Sequence, residues 1–164
     1  MKTEQRTRFE AFVAENSSGL SRTAFLLTGD PHTDQDLLQE ALTRAYPKWE
    51  RIEPGREFAY LRRAMVNLRT DWWRRRRYEV LTDLDAAGDG PARWDAGYDA
   101  VDDRDTIVAR LAGLTARERA IVVLRFYSDL AEADVASELG ISVGTVKSTC
   151  SRALARLAKE EALR

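Results

Sequence analysis

The polar side chains with the clearest chemical potential lie near the C-terminal end of the chain. On a helix they would share one outward face: Thr145, Lys147, Ser148, Ser151 and Arg152. Hydroxyl and basic groups near a helix N-terminus suit the DNA major groove, where base edges present hydrogen-bond donors and acceptors. The alternative is a plain helical hairpin whose polar face meets only water. We favour contact with duplex DNA, because the residues of the preceding turn agree with it.

That turn has the spacing of a helix-turn-helix motif, set by Ala136, Gly140 and Val146. A small residue at Ala136 lets the second helix cross closely, and Gly140 can take the left-handed conformation that ends the first helix. Ser142 is a suitable N-cap for the second helix. We expect that helix to bury one apolar stripe: Val146, Cys150, Ala153, Leu154 and Leu157.

A second candidate site is the segment from Phe58 to Arg77, in which two tryptophans precede four arginines: Trp72, Trp73, Arg74, Arg75, Arg76 and Arg77. Neutralisation of phosphates and aromatic surfaces for stacking are the two requirements of single-stranded nucleic acid binding. By itself, the arginine run is better explained as a solvated helix end that stabilises the helix dipole. Trp72 falls on an apolar stripe and is predicted to be core, whereas Asn67 and Trp73 fall off it and are better contact candidates.

A third polar group is Asp36, Gln39 and Glu40, whose spacing places them on one helix surface. Glu40 and Arg44 are spaced to pair along it. The residues alone predict an exposed helix face with no further role.

Neither a metal site nor a catalytic site is predicted. The chain has one cysteine and one histidine, which excludes an internal disulfide and leaves no set of Cys and His zinc ligands. Cys150 falls on the predicted buried stripe, and no Gly-rich phosphate loop is present. We expect neither an enzyme nor a bound cofactor.

Charge divides the chain of 164 residues into three parts. Residues 1–79 carry a net charge of +3, residues 80–103 carry −6 and residues 104–164 carry +2. The middle part is rich in Asp, Gly and small residues and lacks a helical period, although it contains Trp94 and Tyr98. We predict a flexible acidic linker at residues 80–103 between domains at residues 1–79 and 104–164. The alternative is a folded extension of either domain.

The two outer parts are predicted to be all-α, since apolar residues recur at spacings of three and four. In the first domain we expect one or two helices around Gly19, a break at Gly29-Asp30-Pro31, a helix that ends near Pro47, and a stripe from Phe58 to Trp72. In the second, Thr115 and Glu118 have the spacing of a capping box. A helix follows them, and two short helices follow Ser128-Asp129.

No apolar run approaches the roughly 20 residues that span a bilayer, and the N-terminus does not have the pattern of a signal peptide. We therefore expect a cytoplasmic protein with no membrane partner.

Four segments, in this order, resemble a bacterial sigma factor of the extracytoplasmic-function (ECF) group: DQDLLQEALTRAYPKW, AYLRRAMVNLRTDWWRRRR, LTARERAIVVLRFY and DVASELGISVGTVKSTCSRALARL. The resemblance covers roughly residues 8–79 and 104–160, and the order of the four is highly specific. Such proteins keep only sigma regions 2 and 4, joined by a linker.

The resemblance implies roles that spacing does not. It implies that one helix docks on the β′ clamp coiled coil of core RNA polymerase through the residues Asp36, Leu37, Gln39, Glu40 and Arg44. It implies that Asn67–Arg77 engages the minus-ten promoter element as opened strand, with Asn67 near a flipped base. It implies that Ser142–Arg152 reads the minus-thirty-five element as duplex, and that the C-terminal domain meets the β flap. An anti-sigma factor is a further candidate partner.

Two positions depart from the family pattern. Thr149 stands where relatives often carry Arg, which puts one phosphate or base contact in doubt. Ala131 stands where Ser or Thr usually caps the first helix of the motif, and Asp129 is a candidate substitute.

The rival hypotheses are a stand-alone dimeric helix-turn-helix regulator and an enzyme. The first leaves Asp36–Glu40 and the Trp-Arg segment without a role, and the second lacks a catalytic constellation. We therefore expect a sigma factor that is monomeric when free.

Overall fold

The computed structural model describes residues 2–82 and 103–163, and within those ranges the chain forms helices and no strand. The all-α prediction is confirmed for this part of the chain. The helices are α1 (Lys2–Thr28), α2 (Pro31–Ala45), a 3₁₀ helix (Tyr46–Arg51), α3 (Glu57–Thr82), α4 (Asp103–Ala112), α5 (Ala116–Val122), a π-helical turn (Val123–Tyr127), α6 (Glu132–Leu139) and α7 (Val143–Ala162).

The chain divides into two units, Met1–Arg69 and Thr70–Arg164, and the division falls inside α3. Most of the predicted linker, with Trp94 and Tyr98, lies outside the described residues. Its two ends are helical, since α3 continues to Thr82 and α4 begins at Asp103.

In the first unit, α1 is one continuous helix that passes through Gly19, so the glycine does not break it. A Cβ atom built on Gly19 would lie 3.3 Å from Cε2 of Phe58 on α3. The glycine therefore allows α3 to approach α1 closely, which explains its place in a helix interior despite its low propensity.

The start of α2 follows the predicted break. Gly29 has a positive φ of 69°, and Asp30 is the N-cap, whose carboxylate accepts hydrogen bonds from the backbone N–H groups of His32 and Thr33. Pro31 occupies the first helical position, where no backbone donor is required.

The core of the first unit is built around Trp49, which is 1% exposed. Its ring meets those of Phe9 and Phe12 with centroid distances of 4.8 and 5.1 Å. From α3, the predicted stripe contributes Leu61, Met65 and Leu68, all buried. Burial of these side chains fixes which face of α3 turns outward.

In the second unit, the capping box at the start of α5 is confirmed. Thr115 Oγ1 accepts from the Glu118 N–H at 3.2 Å, and Glu118 Oε2 accepts from the Thr115 N–H at 3.0 Å. The end of α4 is capped differently. Arg119, 1% exposed, donates from Nε to the Leu111 carbonyl at 3.0 Å and from its NH2 nitrogen to the Leu114 carbonyl at 3.5 Å.

Two expectations for the second unit were wrong. The last helix, α7, has 20 residues and is not short, because its apolar side chains have α4, α5 and α6 to pack against. Asp129 does not replace the missing cap: the N-cap of α6 is Ala131 with no side-chain hydrogen bond, and Asp129 takes a positive φ of 51° instead.

Candidate functional site

The turn between α6 and α7 has the helix-turn-helix geometry that the sequence predicts. Gly140 has a φ of 64°, and its N–H and that of Ile141 both donate to the Ala136 carbonyl. Val146 is completely buried where the two helices cross, and Ala136 is 5% exposed. Both residues are buried on helices that pack against each other.

The N-terminus of α7 is organised by hydroxyl groups. Ser142 Oγ accepts from the Thr145 N–H at 3.1 Å and lies 2.8 Å from Thr145 Oγ1. Ser148 Oγ donates to the Thr145 carbonyl at 3.2 Å. The helix therefore begins at a defined residue, with the remaining backbone N–H groups of its first turn turned outward.

The residues predicted to contact duplex DNA lie together on this helix. Lys147, Ser148, Ser151 and Arg152 are exposed, as is Ser142, while Thr145 is half-buried. Leu154 was expected to be buried with the apolar stripe of α7, but it is 42% exposed, because the other helices do not fully cover this position. Apart from Val143, which is 39% exposed, the exposed side chains of the first three turns of α7 are mainly polar or basic.

Thr149, the position that departs from the family pattern, belongs to the packed face. It is 4% exposed, and its hydroxyl accepts a hydrogen bond from the Arg152 guanidinium at 3.3 Å. Thr149 therefore orients Arg152 and does not itself reach a ligand.

Two further contacts join α7 to its neighbours, and sequence reasoning missed both. The Lys147 ammonium lies 3.7 Å from Oε2 of Glu132, the first residue of α6. Arg156 donates to Oε2 of Glu118 at 3.0 Å, so the carboxylate of the capping box also holds α7. No local pattern marks such pairs, because their members belong to different helices.

On α3, the predicted contact residues point away from the core stripe. Asn67, Arg74 and Arg75 are exposed, and Trp72 is half-buried. Trp73, Arg76 and Arg77 lie within α3, but their side chains fall outside the described part of the structure. Among the predicted contact residues, those whose side chains are described offer one amide and two cations to solvent along this helix.

The polar surface of α2 is also as predicted. Asp36, Gln39 and Arg44 are exposed, Glu40 is half-exposed, and Glu40 and Arg44 form an ion pair. Leu37 is completely buried in the core beneath this surface. With no exposed area, the Leu37 side chain supports the surface from below in the free chain, and its predicted contact with a partner stays a prediction.

No group of three or more His, Cys, Asp or Glu within the described residues could hold a metal ion. Cys150 is buried on α7, and burial raises the pKa of its thiol above the usual value, an effect that Arg125 opposes. Among the described helices, none is long and apolar enough to cross a membrane.

Two family models match the chain, one in each of its two parts. Residues 12–78 match the family Sigma-70 region 2, and residues 104–157 match the family Sigma-70, region 4. The first match contains α2 and the exposed residues of α3, and the second contains the helix-turn-helix.

Known proteins are similar to the chain over most of its length. The RNA polymerase sigma-E factor of Streptomyces coelicolor is 42% identical over 153 residues, covering 93% of this chain and 85% of that protein. The ECF RNA polymerase sigma factor SigL of Mycobacterium tuberculosis is 34% identical over 143 residues, covering 84% of this chain and 80% of that protein. Among solved structures, the sigma factor RpoE of Bartonella quintana, crystallised with the anti-sigma factor NepR, is 27% identical with a TM-score of 0.69, covering 93% of this chain and 95% of that one.

Proposed function

Because this chain belongs to the ECF group of RNA polymerase sigma factors, which direct promoter-dependent initiation of transcription, we propose that it binds core RNA polymerase and reads a promoter in two forms. One form is the duplex of the minus-thirty-five element and the other is the opened strand of the minus-ten element. The observation that carries the proposal is the capped, outward-facing polar N-terminus of α7 in a helix-turn-helix.

The duplex element is read by α7. Its exposed residues Lys147, Ser151 and Arg152 supply donors for base edges and phosphates, and the first residues of such a helix enter the major groove. The outward backbone N–H groups and the helix dipole favour a phosphate at the same end. Burial of Val146 and Cys150 fixes α7 against the rest of its unit, with its exposed face outward.

The opened strand is held by α3. Unstacked bases offer hydrogen-bonding edges and flat faces, and their phosphates require cations. Asn67 presents an amide that can donate to and accept from one base edge, and Arg74 and Arg75 present the charges. The predicted roles of Trp73, Arg76 and Arg77 at this element remain part of the proposal.

Core RNA polymerase is bound through both units. The polar surface of α2, with Asp36, Gln39, Glu40 and Arg44, docks on the β′ clamp helices, and buried Leu37 makes this surface rigid. The C-terminal unit exposes apolar side chains that its own core does not bury, among them Phe126 at 57% and Ile107 at 49%. These provide an apolar contact for the β flap.

Specificity follows from simultaneous engagement. Each unit alone makes a small contact, and the polymerase holds both at a fixed spacing, so that the second contact forms at a high effective concentration. The domains are proposed at residues 1–79 and 104–164. Free of polymerase, the chain is a monomer, and an anti-sigma factor is its proposed regulator, because the RpoE relative was crystallised with one.

The test is run-off transcription with reconstituted core polymerase on a genomic library, with two variants and two matched controls. Asp36→Ala should weaken assembly with polymerase and leave duplex binding intact, and Gln35→Ala, its exposed neighbour, should change neither. Lys147→Ala should weaken promoter binding and lessen its salt dependence, and Lys159→Ala, near the end of the same helix, should not.

Two results would contradict the proposal. If Asp36→Ala and Lys147→Ala each lost polymerase assembly and duplex binding equally, the two units would not have separate roles. A chain that binds a palindromic duplex tightly as a dimer and ignores core polymerase would instead be a stand-alone regulator.

A further inference from the structure

Two opposite charges face each other across the helix-turn-helix, one from each of its helices. The side chain of Lys147 is 64% exposed and that of Glu132 is 34% exposed, with 3.7 Å between the ammonium and the carboxylate. The pair is therefore open both to water and to any DNA that approaches α7. A lysine held in this way is partly neutralised before it meets a phosphate.

Glu132 lies close to the inner side of α7 as well as to its exposed side. Its charge raises the pKa of buried Cys150, adding to the effect of burial, whereas Arg125 acts in the opposite direction. A carboxylate in this place repels the phosphates that the exposed face of α7 attracts.

Glu132 at the start of α6 also stabilises that helix, and this structural role has to be distinguished from a role in DNA recognition. Acidic side chains in the first turn of a helix stabilise its dipole, and α6 has two, Glu132 and Asp134. The N-cap Ala131 provides no side-chain hydrogen bond, so both acids help the helix begin. Of the two, Glu132 is the partner of Lys147, and Asp134 is exposed to solvent.

Building on the proposed function, we propose that Glu132 is a positioning residue that sets the sequence specificity of duplex recognition by α7. Glu132 repels phosphates, which are charged, but not base edges, which are neutral. The Lys147 ammonium has three donors, so it can keep its contact with Glu132 and still donate to an acceptor on a base. A phosphate contact gains less, because it must overcome the repulsion and the loss of the existing pair. Glu132 thus weakens binding to every sequence and weakens it least where a matching base is present.

The experiment uses holoenzyme reconstituted from core RNA polymerase and the full chain. The probes are a duplex that wild-type holoenzyme enriches from a random library, and a shuffled duplex of the same length and composition. Binding of both is measured by fluorescence anisotropy over a series of salt concentrations. Glu132→Gln should tighten binding to the shuffled duplex by about two- to fivefold. It should steepen the salt slope by about 1, and it should lower the ratio of selected to shuffled affinity.

The matched control is Asp134→Asn, which removes the same charge from the same helical turn and should leave that ratio at the wild-type value. In a Lys147→Ala background, Glu132→Gln should lose the part of its effect that acts through the ion pair and keep only the part due to direct repulsion of phosphates. Equal ratios in Glu132→Gln and Asp134→Asn, or an undiminished effect of Glu132→Gln without Lys147, would overturn this inference alone. A wild-type holoenzyme that enriches no duplex would overturn the proposed function and this inference with it.

Discussion

Arg119 is the buried cation of the C-terminal unit, and replacing it with methionine should destabilise that unit strongly. Its guanidinium is 1% exposed and donates to the carbonyls of Leu111 and Leu114, at the end of α4. Hydrogen bonds from a charged donor contribute about 1.5–3 kcal/mol each, and methionine would leave both carbonyls buried without this donor. Because methionine retains much of the packing and avoids the cost of burying a charge, we expect a net loss of about 3 kcal/mol.

For a unit of this size, that loss corresponds to a decrease in Tm of roughly 12–24 °C. The assay is hydrogen exchange of the full chain, read by mass spectrometry over α5 and, as an internal reference, over α2. The control is Arg117→Met, since Arg117 lies on the same helix but is exposed. If the two variants exchanged at the same rate over α5, the reasoning that Arg119 caps α4 would be wrong.

Two further perturbations test the turn of the helix-turn-helix and the start of α2. Gly140→Ala should lower the free energy of unfolding by about 1 kcal/mol, because φ is 64° there although no atom would touch the new Cβ within 4 Å. Gly144→Ala, inside α7, should raise it by about 0.5 kcal/mol, so urea titrations that gave both the same sign would contradict this account. At the start of α2, the hydrogen bond from Thr33 lowers the pKa of Asp30, whereas burial and the nearby Asp30 charge raise the pKa of Asp34. In the wild type, ionised Asp30 therefore adds stability above the ordinary carboxylate pKa, and this stability disappears as the pH falls through the lowered pKa. Asp30→Asn should lack this contribution, so it should be less stable than the wild type at neutral pH and approach it in acid. Asp34→Asn should gain stability at neutral pH, and the gain should shrink as acid protonates Asp34 in the wild type. Thermal melts at several pH values measure both, and parallel responses would refute the assignment.

Sequence reasoning predicted the features that depend on neighbouring residues. The left-handed turn at Gly140, the cap at Ser142 and the capping box at Thr115 each need only a residue type and a backbone geometry within a few positions. The core stripe of α3 was predictable for the same reason, because its period follows from the helix itself.

The features that were missed depend on contacts between distant segments. The sequence left open whether one or two helices surround Gly19, and it could not show the close approach of Phe58, almost forty positions later. Leu154 fits the apolar period of α7, yet no neighbour covers it fully. Arg119 is buried whereas Arg117 is exposed, and nothing in the local pattern distinguishes the two arginines.

Under the proposed reading of duplex DNA by α7, the hydroxyl groups at the beginning of this helix have a consequence for how promoter preference can evolve. Those of Ser142 and Thr145 are engaged with each other and with the helix backbone, so changing them would alter the frame of the helix for all target sequences alike. Ser151 makes no such bond within the described part of the chain, and the exposed Lys147 makes a surface ion pair with Glu132, which contributes little to the stability of the fold. A lineage that acquires new target genes can therefore change Lys147 and Ser151 without disturbing the start of α7. Ser142 and Thr145 should stay unchanged.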